Sequence, residues 1–489
     1  MNRKTIPLLL AAFLLPGLVV AAALTRPAQA VPQTAVSDDA PLCRFGVNVL
    51  ETQTIASLPG LGAGWYMNFT TLPNPPRPEG MEYMPVIRLR PSATPPGYTY
   101  QPNGSALQQA ISNSPGAKWL ISNEPDSTQQ DDLTPPVYAR AYHELYGLLK
   151  TADPAAQVIA GSIIQATPMR LFYLDQILGS YYNQFGAPLP TDGWSIHNYI
   201  LNEVSCDYNP ANCWGAGIPP GVDWLYGEVW GLRDTDRLDI FTQRITRFRQ
   251  WMADRGYRGA PLYLTEYGVL MPPDFADEDG VFFTAARVNA FMNGTYDYML
   301  NATHPTLGNP LDENRLVQQW AWYSTTDDRY NGVLLDPITY APTEIGANFA
   351  AYTAVLNREI DFYPTAVKAT TSALSLGQPV TLTLHTQVAN SGNLSQAAAA
   401  TVQFYHGNPA GGGVPLGPAQ NMVLSGCGQA QTFSVVWPDV APGVYDIYVQ
   451  VTPGAGVVDV DTSNNLVVSS VVVGVNHLFL PIISRAINW

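Results

Sequence analysis

Two glutamates stand where apolar segments of strand-like character end. Glu124 comes just after Lys118–Ser122, and Glu266 closes Pro261–Glu266. Pro125 cannot continue a strand ladder and marks a turn directly after the first glutamate. A glycosidic bond is cut by two carboxyl groups, one that donates a proton and one that stays ionised. Capping a helix or binding a surface arginine is the structural alternative for either glutamate alone, and their matched positions favour the chemistry.

A third strand-like segment, Trp194–Tyr199, offers polar partners for such a pair. Side chains alternate between the two faces of a strand, so His197 and Tyr199 share one face and Trp194 lies on the other. We expect the polar face to lie at the site, where it hydrogen-bonds a carboxylate or a sugar hydroxyl. A histidine that is satisfied by backbone groups is the structural alternative.

Two further pairs of residues are candidates for substrate contact. Trp320 and Trp322 share a face of another predicted strand, and a flat indole is a platform for the apolar face of a sugar ring. Buried packing is the alternative for both, and Trp322 is nearer the predicted site. Arg88 and Arg90 also share a face, and one of them could bind the ionised carboxylate and lower its pKa. Surface placement is the alternative for Arg90.

The elements that position these residues alternate between strand-like and helix-like segments from residue 44 to about 358. Eight candidate strands with intervening helices predict a (β/α)8 TIM barrel, whose chemistry lies at the carboxyl ends of the strands. Carboxyl groups about 5–5.5 Å apart would then retain configuration, and a wider gap would invert it. A doubly wound open sheet is the alternative, but no Gly-rich phosphate loop follows the first strand.

The character of the sequence changes beyond residue 358. Short alternating segments separated by Gly- and Pro-rich turns predict a smaller, all-β, immunoglobulin-like sandwich over 365–474. The tail at 475–489 is apolar but too short to span a membrane, and we assign it no role.

The first thirty residues are typical of an export signal. Arg3 and Lys4 precede a long apolar run, and Ala28-Gln29-Ala30 offers the small residues that signal peptidase needs. We predict removal of 1–30, a linker at 31–43, and a secreted or surface-exposed bacterial protein. An uncleaved membrane anchor is the alternative.

Charge and cysteine usage restrict the partners further. A net charge of −15 disfavours nucleic acid and anionic membranes as partners and is compatible with a neutral substrate. Cys206 and Cys213 lie in a polar stretch without a nearby histidine, so a disulfide is predicted there and a metal site is not. Pairing Cys43 with Cys427 would require the two halves of the chain to dock, and we do not predict it.

Three segments resemble the clan A retaining (β/α)8 glycoside hydrolases. They are Asn123-Glu124-Pro125 after strand four, His197-Asn198-Tyr199 on strand six and Thr265-Glu266-Tyr267-Gly268 on strand seven. The resemblance covers residues 44–358. The matched segments are similar to those of families 39 and 5 and of the endo-β-glucanase catalytic cores alike.

The resemblance implies a role for each matched residue. Glu124 would be the acid/base, Asn123 the partner of the sugar 2-hydroxyl, and Glu266 the nucleophile, positioned by Tyr199 and His197. It implies hydrolysis of a β-linked oligo- or polysaccharide through a covalent intermediate, with no cofactor and no metal. A transglycosylase, or a non-catalytic carbohydrate-binding or adhesion protein, is the alternative.

The C-terminal sandwich and one long loop of the barrel lie outside these three segments. Residues 365–474 resemble a CARDB-type sandwich through Val388-Ala389-Asn390-Ser391-Gly392, and such modules suggest attachment to a cell surface. The segment Leu201–Arg237, with Trp214, Trp224 and Trp230, matches no family segment. It would either wall a sugar cleft or pack over the barrel.

Overall fold

The computed structural model describes residues 41–211, 214–356, 360–371, 378–390, 398–424, 426 and 429–473. The predicted signal segment, the tail and most of the predicted linker lie outside these residues. Within them, no helix is both long enough and apolar enough to cross a membrane.

The first part of the chain alternates strands and helices, as predicted. Its strands are β1 (Phe45–Asn48), β2 (Trp65–Met67), β3 (Glu82–Tyr83), β4 (Val86–Pro91), β5 (Tyr98–Gln101), β6 (Lys118–Ile121), β7 (Gln157–Ile163), β8 (Gly193–His197), β9 (Leu262–Tyr267) and β10 (Gln319–Trp322). Its helices are α1 (Leu58–Leu61), α2 (Gly104–Asn113), α3 (Pro135–Ala152), α4 (Pro168–Phe185), α5 (Leu238–Asp254), α6 (Ala285–Asn301) and α7 (Glu344–Ala354).

These ten strands form one curled, mixed sheet in the order β3-β2-β1-β10-β9-β8-β7-β6-β4-β5. Neighbours are parallel except for β4 and β5, which form an antiparallel hairpin. The sequence pattern predicts one uninterrupted third strand over Tyr83–Arg90 and no hairpin strand, whereas the structure has two strands there, β3 and β4. Pro85 lies between them and has no N–H to donate, which explains the interruption.

The segment between β3 and β4 is bonded on both sides. Met84 donates its N–H to the carbonyl of Tyr66, 3.0 Å away, and the carbonyl of Pro85 accepts from Leu120 at 2.9 Å. β3 is the first strand in this order and β4 the ninth, yet only Met84 and Pro85 separate them in the chain. The predicted α/β class is confirmed in this form, a curled mixed sheet with helices between its strands.

Two apolar clusters lie on opposite faces of this sheet. The larger one joins the sheet to the helices and includes Phe45, Trp320 and Tyr296. A smaller cluster fills the inner face of the curl and consists of Trp65, Met67, Met84, Val86, Leu120, Ile159, Tyr263 and Ala321. Alternation along each strand therefore decides which side chains face the inside of the curl.

The second part of the described chain consists of strands and one short 3-10 helix, Pro409–Gly411. The strands are β11 (Phe362–Pro364), β12 (Lys368–Thr371), β13 (Val380–Asn390), β14 (Ala398–His406), β15 (Val414–Leu424), β16 (Gln429–Val440), β17 (Gly443–Pro453) and β18 (Leu466–Val473). They form two antiparallel four-stranded sheets, one of β11, β13, β12 and β16 and one of β15, β14, β17 and β18. Both sheets contribute to one apolar cluster, as in a sandwich. The predicted all-β character is confirmed, whereas β11, β12 and β15 are additional to the predicted strands, and β11 lies before the predicted start at residue 365.

The cysteines are only partly described. Cys206 is disulfide-bonded, but its predicted partner Cys213 lies outside the described residues, so that pairing stays a prediction. Cys43 is disulfide-bonded as well.

The close packing on the inner face of β1 predicts that a larger residue at Gly46 destabilises the fold. A Cβ at Gly46 would lie 2.1 Å from the fully buried indole of Trp65, and neither group has room to move. We expect Gly46→Ala to lower the free energy of unfolding by about 2–3 kcal/mol, because overpacking a full core costs that much. Urea unfolding followed by tryptophan fluorescence measures the change.

The matched control is Gly60→Ala in α1, where a Cβ would meet nothing within 4 Å. It should shift the urea midpoint little. Equal midpoints for the two variants would contradict this account of the inner core.

Candidate active site

The structure brings the two predicted glutamates together. Glu124 follows β6 and Glu266 lies near the end of β9, both at the carboxyl ends of parallel strands. They are 9% and 8% exposed, so each is mostly shielded from water but open to a small group. One ligand atom each of Glu124, His197 and Glu266 lie within 4.8 Å of one another. Three residues from three strands therefore converge on one point.

His197 links the two carboxyl groups. Its Nδ1 lies 2.9 Å from Oε1 of Glu124 and 3.6 Å from Oε2 of Glu266. Burial alone would lower the pKa of His197, but the charges of the two carboxylates outweigh burial and raise it. The two carboxylates therefore favour the protonated imidazole, and a proton on Nδ1 would be donated to Glu124.

Tyr199 binds the second glutamate from the other side. Its hydroxyl donates to Oε1 of Glu266 at 2.8 Å. The backbone carbonyl of Tyr199 accepts from the guanidinium of Arg244 on α5, which also pairs with Glu228 at 2.7 Å. The tyrosine is thus anchored at its backbone while its hydroxyl reaches the carboxylate.

The electrostatics of Glu266 follow from these contacts. Burial, together with the nearby Glu124 carboxylate, raises the pKa of Glu266 to about 7, although His197 and Tyr199 act in the opposite direction. Glu266 therefore keeps a proton up to about neutral pH. A carboxyl group with a raised pKa beside a second carboxyl group is typical of sites that do acid and nucleophile chemistry.

The turn that carries Glu124 has an unusual backbone. Ser122 and Glu124 have φ values of 78° and 49°, a region that costs a residue with a side chain about 1–2 kcal/mol. The buried carboxylate of Asp131 holds this turn by accepting from the Ser122 hydroxyl at 2.8 Å and from the N–H of Asn123 at 2.9 Å. The N–H of Glu124 donates to the carbonyl of Ser162 at 2.9 Å. Asn123 is itself buried, directly before the glutamate.

Arg88 lies elsewhere than expected. Its guanidinium binds Asp131 at 2.8 Å and the side chain of Gln130 at 3.0 Å, and Arg90 also binds Asp131. The expectation that one of these arginines contacts Glu266 is therefore not met. The positive charge of Arg88 still lowers the pKa of Glu266 from a distance.

The two tryptophans of β10 are core residues. Both are fully buried; Trp320 packs edge-on against Phe45, and Trp322 packs against Tyr267 and donates to the carbonyl of Gly332 at 2.7 Å. The prediction that they contact a sugar is wrong, because this face of β10 points towards the helices.

Tyr323, the next residue along the chain, was missed. It is half-buried, and its ring centroid lies 6.4 Å from that of Tyr199 and 6.2 Å from that of Phe69. Burial raises the pKa of Tyr323, and its hydrogen bond to Asp327 at 2.8 Å and the charge of Glu266 add to this effect. The contact with Tyr199 places the ring beside the tyrosine that binds Glu266. The alternation that puts Ala321 inside the curl could have identified Tyr323 as the aromatic residue at the site.

The Glu124, His197 and Glu266 cluster also has the spacing of a metal site. However, Nδ1 of His197 already forms a hydrogen bond with Glu124 at 2.9 Å, and the hydroxyl of Tyr199 donates to one oxygen of Glu266. These hydrogen bonds fit a proton-carrying carboxyl pair better than a set of metal ligands.

Several solved structures resemble parts of the chain. A GH128 subgroup I endo-β-1,3-glucanase from Amycolatopsis mediterranei has 18% identity and a TM-score of 0.40, over 63% of this chain and 99% of that one. A GH128 subgroup II endo-β-1,3-glucanase from Pseudomonas viridiflava has 15% identity and a TM-score of 0.41, over 63% and 97%. A CARDB domain from Pyrococcus furiosus has 17% identity and a TM-score of 0.19, over 23% and 88%. No protein-family model and no curated protein matches the chain. At such identities and TM-scores, function has to be argued from the geometry of the site.

The raised pKa of Glu266 predicts a stability effect of Glu266→Gln. The folded chain keeps a proton that the unfolded chain releases above the ordinary value of 4.5, so the stability linked to this group is full below pH 4.5 and is lost as pH rises through about 7. Glutamine does not titrate. We expect the variant to gain about 1–3 kcal/mol over the wild type at pH 8 and much less at pH 5.

Urea unfolding at the two pH values measures this difference. Glu313→Gln, at a side chain that is 74% exposed, is the control and should give the same result at both. A gain for Glu266→Gln that does not grow with pH would show that burial of this carboxyl group is not costly.

Proposed function

We propose that this chain is a retaining glycoside hydrolase that cleaves a β-linked oligo- or polysaccharide by double displacement. The observation that carries the proposal is the buried pair of Glu124 and Glu266, with an oxygen of each within 4.8 Å of the other. Retaining enzymes hold their carboxyl groups about 5–5.5 Å apart, whereas inverting enzymes need about 6.5–9.5 Å to admit a water. The close spacing supports retention.

In the first step, the carboxylate of Glu266 attacks the anomeric carbon while Glu124 transfers its proton to the glycosidic oxygen. The carbon–oxygen bond to the leaving sugar breaks, and an ester forms with Glu266. Glu124, now ionised, then takes a proton from water, whose oxygen attacks the same carbon and releases Glu266. Hydrogen bonding by Tyr199 to Glu266 stabilises the carboxylate that attacks and later leaves.

The assignment of roles rests on strand position, because His197 and Tyr199 can stabilise negative charge on either side of the pair. His197 contacts both carboxyl groups and keeps them oriented. Asp131 contributes indirectly, since it fixes the turn that presents Glu124. These residues orient the pair, and strand position assigns the acid/base to Glu124 and the nucleophile to Glu266.

The proposal also covers the closure of the barrel, the export of the chain and the role of its all-β part. We infer that β3 and β4 are one interrupted strand that closes an eight-stranded (β/α)8 barrel, which the bonds of Met84 and Pro85 to opposite neighbours support. We further propose that the chain is exported and that its all-β part is a CARDB-like accessory module associated with a cell surface.

Removing either carboxyl group should abolish hydrolysis. We expect Glu124→Gln and Glu266→Gln each to lower kcat on a natural glycan by about 10³-fold or more, because each removes an essential group. A screen on dyed β-1,3-glucan, β-1,4-glucan, xylan and mannan identifies the substrate first. Glu313→Gln is the control, and full activity in either site variant would refute the proposal.

Azide distinguishes the two roles. With alanine at the acid/base position, azide should replace water and release a sugar azide of retained configuration. With alanine at the nucleophile position, azide should attack directly and give the inverted product. NMR of the products from Glu124→Ala and Glu266→Ala, with an activated aryl glycoside, measures this, and exchanged outcomes would reverse the assignment.

The contact from Tyr199 predicts a shift in pH dependence. Tyr199 lowers the pKa of Glu266, so Tyr199→Phe should raise it. The nucleophile must be ionised, and the low-pH limb of kcat/KM should therefore move to higher pH, with kcat lower by about 10- to 100-fold. Tyr182→Phe, at an exposed tyrosine of α4, is the control. An unchanged limb would contradict the role given to this hydroxyl.

A further inference from the structure

A cavity of about 680 Å³ lies between the loop after β8 and the loop after β9. Its lining includes Trp214 and Trp230 from the first loop and Met271, Phe275 and Glu278 from the second. A volume of this size is typical of sites for small ligands. The cavity uses none of the residues that contact the carboxyl pair.

The cavity is nevertheless close to the carboxyl pair. Leu270, which also lines it, is four residues beyond Glu266, so the two Cα atoms are at most about 14 Å apart. The indole of Trp230 donates to Glu228 at 3.1 Å, and Glu228 pairs with Arg244, which holds the backbone of the tyrosine that binds Glu266. The cavity is therefore connected to the carboxyl pair through the contacts of Trp230, Glu228 and Arg244.

Hydrogen bonds and ion pairs already join the two loops that form the walls of the cavity. Glu278 accepts from the N–H groups of Leu232 at 2.6 Å and Arg233 at 2.9 Å, which ties the second loop to the first. A Cβ at Gly231 would come within 2.6 Å of that carboxylate, so glycine permits the close approach. Arg287 adds a second link by pairing with Asp236 and Asp277. A preformed cavity avoids the cost of ordering loops on binding.

The lining indicates the kind of ligand. Phe275 and Val229 are each 48% exposed at the cavity, beside two tryptophans. Among the described residues that line the cavity, Glu278 alone is charged, and its oxygens already accept from backbone N–H groups. Flat aromatic rings fit the apolar faces of pyranose rings. A net charge of −15 disfavours acidic glycans.

We propose that this cavity binds a neutral pyranose unit of the glycan chain, away from the bond that is cleaved. The proposal rests on the proposed function and extends it, because it makes the enzyme prefer long chains over short ones. Trp214, Trp230 and Phe275 supply the stacking surfaces, and Glu278 keeps the loops that carry them in register.

The test compares two phenylalanines of the same loop in the full-length protein. Phe275→Ala removes a ring from the cavity, whereas Phe282→Ala removes an equally exposed ring, 51% against 48%, that does not line it. The substrates are a hexasaccharide of the glycan that the wild type hydrolyses and an aryl β-glycoside of its disaccharide. We expect Phe275→Ala to lower kcat/KM about tenfold on the hexasaccharide and to leave the aryl disaccharide within about twofold. Phe282→Ala should leave both unchanged.

The outcomes separate this inference from the proposed function. Equal losses on both substrates, or no loss on the hexasaccharide, would overturn the cavity proposal while leaving hydrolysis established. If the wild type hydrolyses none of the four glycans, the proposed function fails. The cavity is then judged by calorimetric binding of the four corresponding hexasaccharides. Binding weakened about tenfold by Phe275→Ala alone would support the site, and no binding, or equal binding by both variants, would overturn it.

Discussion

Two ionised carboxylates whose oxygens lie within 4.8 Å repel each other strongly when water is largely excluded, and the site is arranged around this repulsion between Glu124 and Glu266. His197 lies beside both groups, and the hydroxyl of Tyr199 binds one of them. These contacts do not cancel the cost, because burial still raises the pKa of Glu266. The site keeps a proton and a negative charge side by side, an arrangement that favours chemistry over stability.

The backbone of the turn that carries Glu124 is strained as well. Ser122 and Glu124 occupy left-handed conformations, which a side chain disfavours, and the turn keeps this shape because Asp131 accepts three hydrogen bonds from it and from the adjoining strand. Arg88 and Arg90 neutralise that buried aspartate. Charges that do not touch the carboxyl pair therefore fix the direction in which Glu124 points. Strain of this kind persists only where the surrounding contacts over-determine it.

The sequence was sufficient where strand position alone decides the outcome. Glu124 and Glu266 follow apolar strands, and the carboxyl ends of parallel strands meet at one edge, so their meeting could be predicted. Trp322 was placed on the wrong side because spacing shows which residues share a face but not which face points inwards. Arg88 was misassigned because its partner, Asp131, lies in an irregular loop, whose course depends on tertiary contacts that no local pattern records.

The long loop after β8 shows what such contacts achieve. It has almost no regular structure, yet buried ion pairs fix it at two points: Arg170 joins its Glu203 to Asp126 of the turn after β6, and Arg244 of α5 holds its Glu228. Burying charges costs much of what their attraction returns, so these pairs contribute little net stability. Their effect is positional, because a misplaced loop would leave several charges buried without partners. The same loop can therefore hold the tyrosine that contacts Glu266 and form one wall of the aromatic cavity, two tasks that both require a fixed backbone.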